Sequence, residues 1–473
     1  MLFSYADLKI YNGRLLIVRL SNGLLVPVVA GLILSVTACG LTDGEKQLIK
    51  ERGKGLYGTS GRWDSLEDYA LRESLPRIDG DADLSDYLSF GLQNHFGLRG
   101  AYDRWLEAMY GIPMARSYPD PKINFNYLLI PIETRTGAQI AQLGLSQIFP
   151  WFGKTKLRGE IAAKKAERLW WKVQETRLGV IRDIKVVFYE YALLKKEIEI
   201  SGENLKLLKE VEPIVQRRIQ TGADQSELLR LQIEIGKNEV ALKTLNSSRR
   251  ILSTRLKSLL NCKNEGILPW PRFDDFEVSK LKKADLYGVM IGSNPELKGL
   301  IEKINLNAKA SELSEKNRYP DVGIGVNRFE TQGSSQGGSD SGRDPLALMF
   351  SFALPIDQRK YDAAEKQARA GLRAAHADMG QRWNELDAIL EQLIVKHNIA
   401  IDQILLYEQS LLPRAKQNWR VSLTGYMAGK ISVLDLIESE RAMLNFENAL
   451  WRQRAEYQIQ RAGLEAICGG KIK

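Results

Sequence analysis

The sequence contains two related halves. The segment YPDPKINFNY begins at Tyr118, and a similar segment, YPDVGIGVNR, begins at Tyr319. Each copy follows a Leu-basic-Gly step and precedes an alternating apolar stretch that ends in proline, and a long charged helix with a glycine turn comes next. This spacing far exceeds the about 20 to 50 residues of a solenoid repeat. We therefore predict an internal duplication with pseudo-symmetry. The landmarks are 98–100, Pro150 and Gly222, then 297–299, Pro355 and Gly429.

Composition favours long helices and argues against nucleic acid as a partner. Of the 473 residues, 44% are hydrophobic and 26% are charged, and the abundance of Ala, Leu, Lys, Glu, Arg and Gln is typical of long helices. The formal net charge of +9 is spread along the chain. A nucleic-acid-binding protein would concentrate its basic residues in one run or on one face.

The N-terminal segment, residues 1–38, is predicted to be a lipoprotein signal peptide. A basic lead is followed by an apolar run from Leu24 to Ala38 and then by Cys39. This order is typical of secretory signals, and the run is shorter than the about 20 residues of a membrane-spanning helix. It resembles the lipobox of bacterial lipoproteins, which implies that Cys39 is lipidated. Gly40, where aspartate would favour the inner membrane, points to the outer membrane. An uncleaved anchor or a fortuitous apolar stretch is the alternative.

Two helical hairpins are predicted, and each has a coiled-coil seam. Apolar residues recur every seven residues after both turn glycines, which is typical of coiled coils. The long arms run from about 154 to 221 and from about 360 to 428, or about 100 Å each at 1.5 Å per residue. Pro213 and Pro413 are expected to kink these arms near the tips. The seam positions are Leu228, Leu231, Ile235, Asn238, Leu242, Leu245, Arg249, Leu252, Leu256 and Leu259, then Leu436, Met443, Leu450, Tyr457 and Leu464.

Four stretches between the helices alternate between an apolar face and a small or polar face. Ile123, Phe125 and Tyr127 begin the first apolar face, and Phe350 and Phe352 lie on the last. Such alternation over about ten residues is typical of transmembrane barrel strands, although two soluble hairpins on a small sheet would also show it. Four strands cannot close a barrel, because an open edge in lipid leaves backbone groups unpaired. The strands would therefore be pooled among several copies of the chain.

Specific segments resemble the TolC family of outer-membrane efflux proteins over roughly residues 60–468. They are SQIFPWFGKTKLRGEIAAKKAE (146–167), FALPIDQRKYDAAEKQARAGL (352–372), RRIQTGADQSELLRLQ (217–232) and YMAGKISVLDLIESE (426–440). The segment PIETRTGAQ (131–139) is similar to the branch that accompanies heavy-metal pumps of the resistance-nodulation-division type. The turn after the second strand pair departs from the family pattern, and the second arm has a longer stretch between its proline and its glycine than the first.

The resemblance implies an α+β membrane protein that works as a homotrimer. Three chains would form a twelve-stranded outer-membrane β-barrel, continued by a periplasmic α-barrel of coiled-coil hairpins. A periplasmic adaptor would dock on the tips, and an inner-membrane pump would supply small solutes or metal ions. The tip residues are expected to be Thr221, Gly222, Ala223, Tyr426, Ala428, Gly429 and Lys430, with possible aperture charges at Arg217, Arg218 and Arg420.

The predicted domain boundaries follow the repeat. The signal peptide is followed by an N-terminal extension with an equatorial segment, the first repeat, a linker, the second repeat and a short tail. Within the repeats, the strands are expected at about 120–131, 138–149, 320–330 and 345–355. The domain ranges are 1–38, 39–83, 84–263, 264–290, 291–468 and 469–473.

No catalytic, cofactor or metal-binding constellation is apparent in the sequence. His95, His376 and His397 are isolated from other ligands and are expected to be solvated helix residues. Met109 and Met114 lack the further donors of a soft-metal site. Cys262 and Cys468 are repeat equivalents, and both are expected to be free thiols.

Two other functions remain open. A periplasmic coiled-coil scaffold or adaptor would share the hairpins but lack lipid-facing strands. A duct for type I protein secretion would share the whole architecture.

Lipidation of Cys39 can be tested directly. Mass spectrometry of the mature N-terminal peptide should show a diacylglyceryl-modified cysteine, because the basic, apolar and small-residue order ends at Cys39. Replacing Cys39 with Ala should weaken membrane anchoring without preventing assembly. A mature chain that retains residues 1–38 would contradict the prediction.

Overall fold

The computed structural model describes residues 10–11, 14–15, 40–57, 82–262, 266–272, 276–334 and 337–472. Cys39 and nearly all of the predicted signal peptide lie outside these ranges, although Ile10–Tyr11 (β1) and Arg14–Leu15 (β2) form a short antiparallel pair. The chain divides into two compact units. The first includes 110–162 and 309–368, and the second includes 43–109, 163–308 and 369–473.

The same order of elements occurs twice after the helix α1 (Asp43–Tyr57): two helices, two strands, a long helical arm and a return helix. The first set is α2 (Leu84–Asn94), α3 (Phe96–Arg116), β3 (Lys122–Thr134), β4 (Gly137–Phe149), α4 (Lys154–Gln220) and α5 (Gln225–Leu260). The second set is α6 (Lys283–Ser293), α7 (Pro295–Lys316), β5 (Asp321–Thr331), β6 (Leu346–Ala353), α8 (Gln358–Leu406), a π-helix (Tyr407–Leu411), α9 (Leu412–Met427) and α10 (Val433–Ile467).

The first unit contains a four-stranded antiparallel sheet in the order β3-β4-β5-β6. Its register places apolar residues of all four strands opposite one another, as in the chain of pairs Leu145–Val326 and Val326–Leu348. Because side chains alternate along a strand, these residues share one face. On the outer strands this face is exposed in the single chain, since Phe125 and Leu348 are each 66% exposed, whereas Val326 on the central strand β5 is 9% exposed. The sheet therefore presents an apolar surface that the chain itself does not cover.

The two strand pairs are joined beside β5 by an ion pair whose lysine is buried and whose aspartate is half-buried. The Lys154 ammonium, at the start of α4, donates to the Asp321 carboxylate at 2.7 Å and to the Tyr319 carbonyl at 2.8 Å. The backbone N–H of Trp151 also donates to Asp321, and the Trp151 ring stacks on Tyr319 at 5.4 Å. Charge-assisted hydrogen bonds of this kind are strong and directional. The second copy of the repeated motif thus fixes the start of the first long helix.

The second unit contains the hairpins, and its packing confirms the predicted coiled-coil seams. Leu436, Met443, Leu450, Tyr457 and Leu464 are all buried. In the first hairpin, Leu231, Ile235 and Leu256 are buried at seam positions. The polar seam residue Arg249 lies over the Trp270 ring, with its guanidinium 4.1 Å from the ring centroid. This contact lets a cation occupy a seam position.

The helix α1 is held against the second unit by Arg52. Its guanidinium lies 4.6 Å from the ring centroid of Trp170 and 5.6 Å from that of Trp105. It also donates to the Glu167 carboxylate at 3.1 Å. An arginine between indole faces combines cation–π attraction with apolar burial of its stem. The segment that follows Cys39 is thereby anchored on the helical unit.

Pro213 and Pro413 have different surroundings. At Pro213, where a kink is expected, the helix continues without a break. Pro213 lies inside the continuous helix α4. Pro413 follows the π-helix, in which the N–H of Leu412 donates to the carbonyl of Tyr407. Proline has no N–H to donate to the carbonyl four residues earlier. The π-helix therefore lies next to a point where the α-helical hydrogen bonds are already interrupted. None of the helices within the described ranges has an apolar stretch long enough to cross a membrane.

The seam can be tested by a matched pair of substitutions on α10. Leu436 is 1% exposed and Leu434 is 42% exposed. Leu436→Ala should lower the free energy of unfolding by about 2 to 5 kcal/mol, because it leaves a cavity in the core. Leu434→Ala should change it by less than about 1 kcal/mol. Chemical unfolding of the purified protein would measure both, and equal losses would contradict the burial assignment.

Candidate functional site: the hairpin tips

The tip of the first hairpin is closed by a Schellman motif. Gly222 has a φ of 109°. Its N–H donates to the Ile219 carbonyl, and the N–H of Ala223 donates to the Arg218 carbonyl. The Thr221 hydroxyl donates to the same carbonyl at 2.9 Å. A side chain at Gly222 would be strained at this φ.

The tip of the second hairpin has the same motif. Gly429 has a φ of 75°, its N–H donates to the Tyr426 carbonyl, and the N–H of Lys430 donates to the Gly425 carbonyl. Because the motif also satisfies the last carbonyls of the helix, each long arm ends cleanly at its tip. The two turn glycines predicted from the sequence therefore occupy equivalent backbone positions.

The return helices begin with side-chain caps. The Asp224 carboxylate accepts a hydrogen bond from the N–H of Ser226 at 2.7 Å, and this bond lowers the pKa of Asp224. Ser432 and Asp435 form a capping box on α10, and the Ser432 hydroxyl lowers the pKa of Asp435. Such caps satisfy N–H groups that have no partner inside the helix. The acidic residues of the tips are therefore occupied in holding the turns.

A buried tyrosine connects the two tips. Tyr426 is fully buried, and its hydroxyl donates to the Glu227 carboxylate at 2.9 Å. The Arg218 guanidinium lies 4.4 Å from the Tyr426 ring centroid and donates to its carbonyl at 3.1 Å. Burial, with the Glu227 carboxylate as a smaller cause, raises the pKa of Tyr426 to about 12. The phenol therefore stays protonated and acts as a donor at physiological pH.

The structure separates the expected tip residues into exposed and interior ones. Arg218 is half-buried, and Tyr426 is inside the tip rather than on its surface. Glu227, which is not among the tip residues expected from the sequence, is the acceptor for Tyr426. Glu227 lies three residues after the cap Asp224, in the first turn of the helix, where a carboxylate is favourable. This position gives no indication that Tyr426 is its partner. The exposed tip residues are Arg217, Thr221, Gly222, Arg420, Ala428, Gly429 and Lys430, with Ala223 half-buried.

The expectation that all three histidines are solvated is wrong for His397. It is 1% exposed and packs against Tyr457, with ring centroids 4.5 Å apart. Burial lowers its pKa, since a charged imidazolium would be desolvated there. His376 is exposed, and His95 is half-buried at the end of α2.

Potential metal ligands do not gather in the described part of the chain. No group of three His, Cys, Asp or Glu side chains among these residues could hold a metal ion. Cys262 and Cys468 are free thiols.

Known proteins resemble this chain in sequence and in fold. Residues 286–470 match the family model "Outer membrane efflux protein". Over these residues the chain is similar to that family. The match confirms the resemblance to the TolC family over these residues, and the outer-membrane location predicted from the sequence agrees with it. Lipidation at Cys39 stays a prediction, because that residue lies outside the described ranges.

Solved structures of outer-membrane proteins share the fold of most of this chain. CusC superposes with a TM-score of 0.71 at 15% identity, covering 83% of this chain and 94% of that one. VceC of Vibrio cholerae superposes with a TM-score of 0.68 at 17% identity, covering 82% and 97%. "Toxin and drug export protein A" of Aggregatibacter actinomycetemcomitans is 20% identical over 305 residues, which is 60% of this chain and 65% of that protein.

The link between the tips can be measured with a double-mutant cycle. Tyr426→Phe and Glu227→Gln each remove one partner of the hydrogen bond, and together they should show a coupling of about 1.5 to 3 kcal/mol, as for a hydrogen bond to a charged group. Chemical unfolding provides the free energies. The exposed pair Lys209–Glu239, at 2.6 Å, is the control and should couple by less than about 1 kcal/mol. Equal coupling in both pairs would show that the Tyr426 contact does not hold the tips together.

Proposed function

We propose that this chain is one subunit of a homotrimeric outer-membrane channel that forms the exit duct of a tripartite efflux system. The observation that carries the proposal is the open-edged sheet with an exposed apolar face. The duplicated halves and the domain boundaries predicted from the sequence are part of this proposal, and the repeated order of elements supports them. No catalytic step is required of such a duct.

The sheet edges favour assembly with further copies. β3 and β6 are the outer strands of the four-stranded sheet. In lipid, unpaired backbone groups at a sheet edge are costly, and closure into a barrel removes them. Three copies supply twelve strands, with the apolar face toward lipid and the opposite face toward a water-filled interior. That opposite face carries Asn124, Asn126 and Gly144, among other polar or small residues.

The helical unit supports the same assembly. On α5, a second apolar stripe runs beside the seam, and its residues Leu229, Ile233 and Val240 are more than half exposed. On α8, the side chains of Val395 and Ile399 are nearly half exposed. Helices of a coiled coil bury such stripes against a neighbouring helix. Neighbouring subunits would cover these faces.

The proposed duct receives small solutes or metal ions from an inner-membrane pump by way of a periplasmic adaptor that docks on the tips. The pump is proposed to be of the resistance-nodulation-division type. The similarity of 131–139 to the heavy-metal branch and the fold shared with CusC support this choice. The tips would form the inner gate, where the Tyr426 contact holds the two hairpins together.

A second candidate function is the export of a protein. It is favoured by the name of the curated relative, which includes toxin export. Both functions use the same architecture and differ in the inner-membrane partner.

Channel activity and partners can be tested together. The purified protein should conduct ions in planar bilayers, whereas a periplasmic scaffold should not. Crosslinking in cells followed by purification should recover an adaptor and its pump. A pump of the resistance-nodulation-division type would support solute or metal efflux, and a protein-secretion ATPase would support the second candidate.

The exposed cations of the second tip should influence ion selectivity. Within the described ranges, Arg420 and Lys430 are exposed and have no ion-pair partner. If three tips converge on one axis, these charges form a positive ring that favours anions. Replacing both with Gln should reduce the anion preference in bilayers and its dependence on salt. Arg373→Gln, an exposed change on α8 away from the tip, should have little effect. Unchanged selectivity with weaker adaptor binding would instead assign both charges to docking.

A further inference from the structure

A layer of buried polar side chains lies beneath the tips, between the two hairpins. Asn204 on α4, Glu234 and Asn238 on α5, and Glu440 on α10 are each less than 10% exposed. Arg441, next to Glu440, donates two hydrogen bonds to the Glu234 carboxylate. Apolar residues of both hairpins surround this layer, including members of one continuous core cluster. Buried polar groups in such a setting need complete hydrogen-bond pairing.

A backbone carbonyl fixes the orientation of the two asparagine amides. The Asn238 amide nitrogen donates to the Glu234 carbonyl at 3.2 Å, and that carbonyl can only accept. The Asn238 oxygen is therefore free to accept, and the Asn204 amide nitrogen donates to it at 3.3 Å. The Asn204 oxygen is consequently turned away from Asn238 and still requires a donor.

Glu440 cannot supply this donor while it is ionised. Both of its carboxyl oxygens and the Asn204 oxygen are buried without a hydrogen-bond partner, although the Asn204 side chain interacts with Glu440. A carboxylate only accepts hydrogen bonds. The layer therefore places three buried acceptor atoms together, and the donor that faces Glu440 is the Asn204 amide nitrogen, which already donates to Asn238. A proton on Glu440 removes the buried charge and supplies a donor for the Asn204 oxygen.

We propose that Glu440 is a proton-binding site, and that its carboxylic acid donates to the Asn204 oxygen. The hydrogen-bond chain then runs from Glu440 through Asn204 and Asn238 to the Glu234 carbonyl. It connects α10 of the second hairpin with α4 and α5 of the first. The site concerns the packing of the hairpins and does not depend on the proposed transport function.

The surrounding charges leave the proton as the available donor. Arg441 is engaged by Glu234, and the Lys237 ammonium also lies near Glu234, at 3.6 Å. The group that α4 directs toward Glu440 is the uncharged Asn204. The helix α9 packs beside this part of α10 with apolar residues, and its Lys416 pairs with a carboxylate further along α10.

The protonation equilibrium of Glu440 determines the pH range over which the packing of the hairpins changes in stability. Burial raises the pKa of Glu440 from 4.5 to about 7; the Glu234 carboxylate adds to the rise, while Asn204 and Arg441 oppose it. The packed hairpins hold the proton more tightly than a solvated Glu440 would. The stabilisation that the Glu440 proton gives to this packing is therefore complete below about pH 4.5, decreases as the pH rises toward 7, and does not change further above that value.

Hydrogen exchange of the full-length protein in detergent micelles tests the proposal. Mass spectrometry would follow segments 200–208 and 231–241 between pH 5 and 8, with correction for intrinsic exchange rates. The opening equilibrium constant should rise by up to about tenfold per pH unit between pH 5 and 7 and level off above pH 7. In Glu440→Gln, protection should be nearly constant with pH, because the amide of glutamine donates to Asn204 at every pH.

Glu438→Gln provides the matched control. Glu438 is exposed on the same helix, and this variant should keep the pH profile of the wild-type protein. The proposal is overturned if wild-type protection is constant between pH 5 and 7, or if Glu440→Gln retains the wild-type profile. The first of these outcomes is decided on the wild-type protein alone, so the test does not depend on the folding of a variant.

Discussion

An antiparallel sheet with two unpaired edges and an exposed apolar face requires neighbours, and the rest of this structure is consistent with that requirement. The central pair, β4 and β5, joins the two halves of the chain, so each half supplies one outer strand. The Lys154–Asp321 ion pair fixes this junction where α4 begins. The hairpins likewise retain uncovered apolar stripes. Both units of a single chain therefore leave surfaces that further copies can cover.

Much of the fold could be predicted because it depends on local periodicity. The step of seven from Leu436 to Leu464 reports burial along one helix face, and the structure buries all five positions. Alternation along the strands has the same origin in backbone geometry. Gly222 and Gly429 were recognisable because a left-handed turn strongly favours glycine. Each of these signals is contained within a few neighbouring residues.

The contacts that determine the burial and hydrogen bonding of individual side chains could not be predicted, because they join distant parts of the chain. Tyr426 donates to Glu227 across 199 positions, and no spacing rule links the two. His397 lies on a charged helix, and its burial depends on Tyr457 of another helix. Glu440 fits the polar pattern of an exposed helix position, yet it is fully buried. In each case, the environment of the side chain comes from tertiary packing rather than from its neighbours in sequence.

The π-helix at Tyr407–Leu411 makes the second arm tolerant of a change in chain length at one place. A π-helical turn accommodates one residue more than the α-helical path requires. Removing one residue there would restore a regular helix and leave α9 facing the same way. A deletion elsewhere in the arm would rotate everything beyond it by about 100°, since an α-helix has 3.6 residues per turn, and would carry Tyr426 out of the core. Single-residue length variation among proteins of this fold should therefore concentrate at this turn.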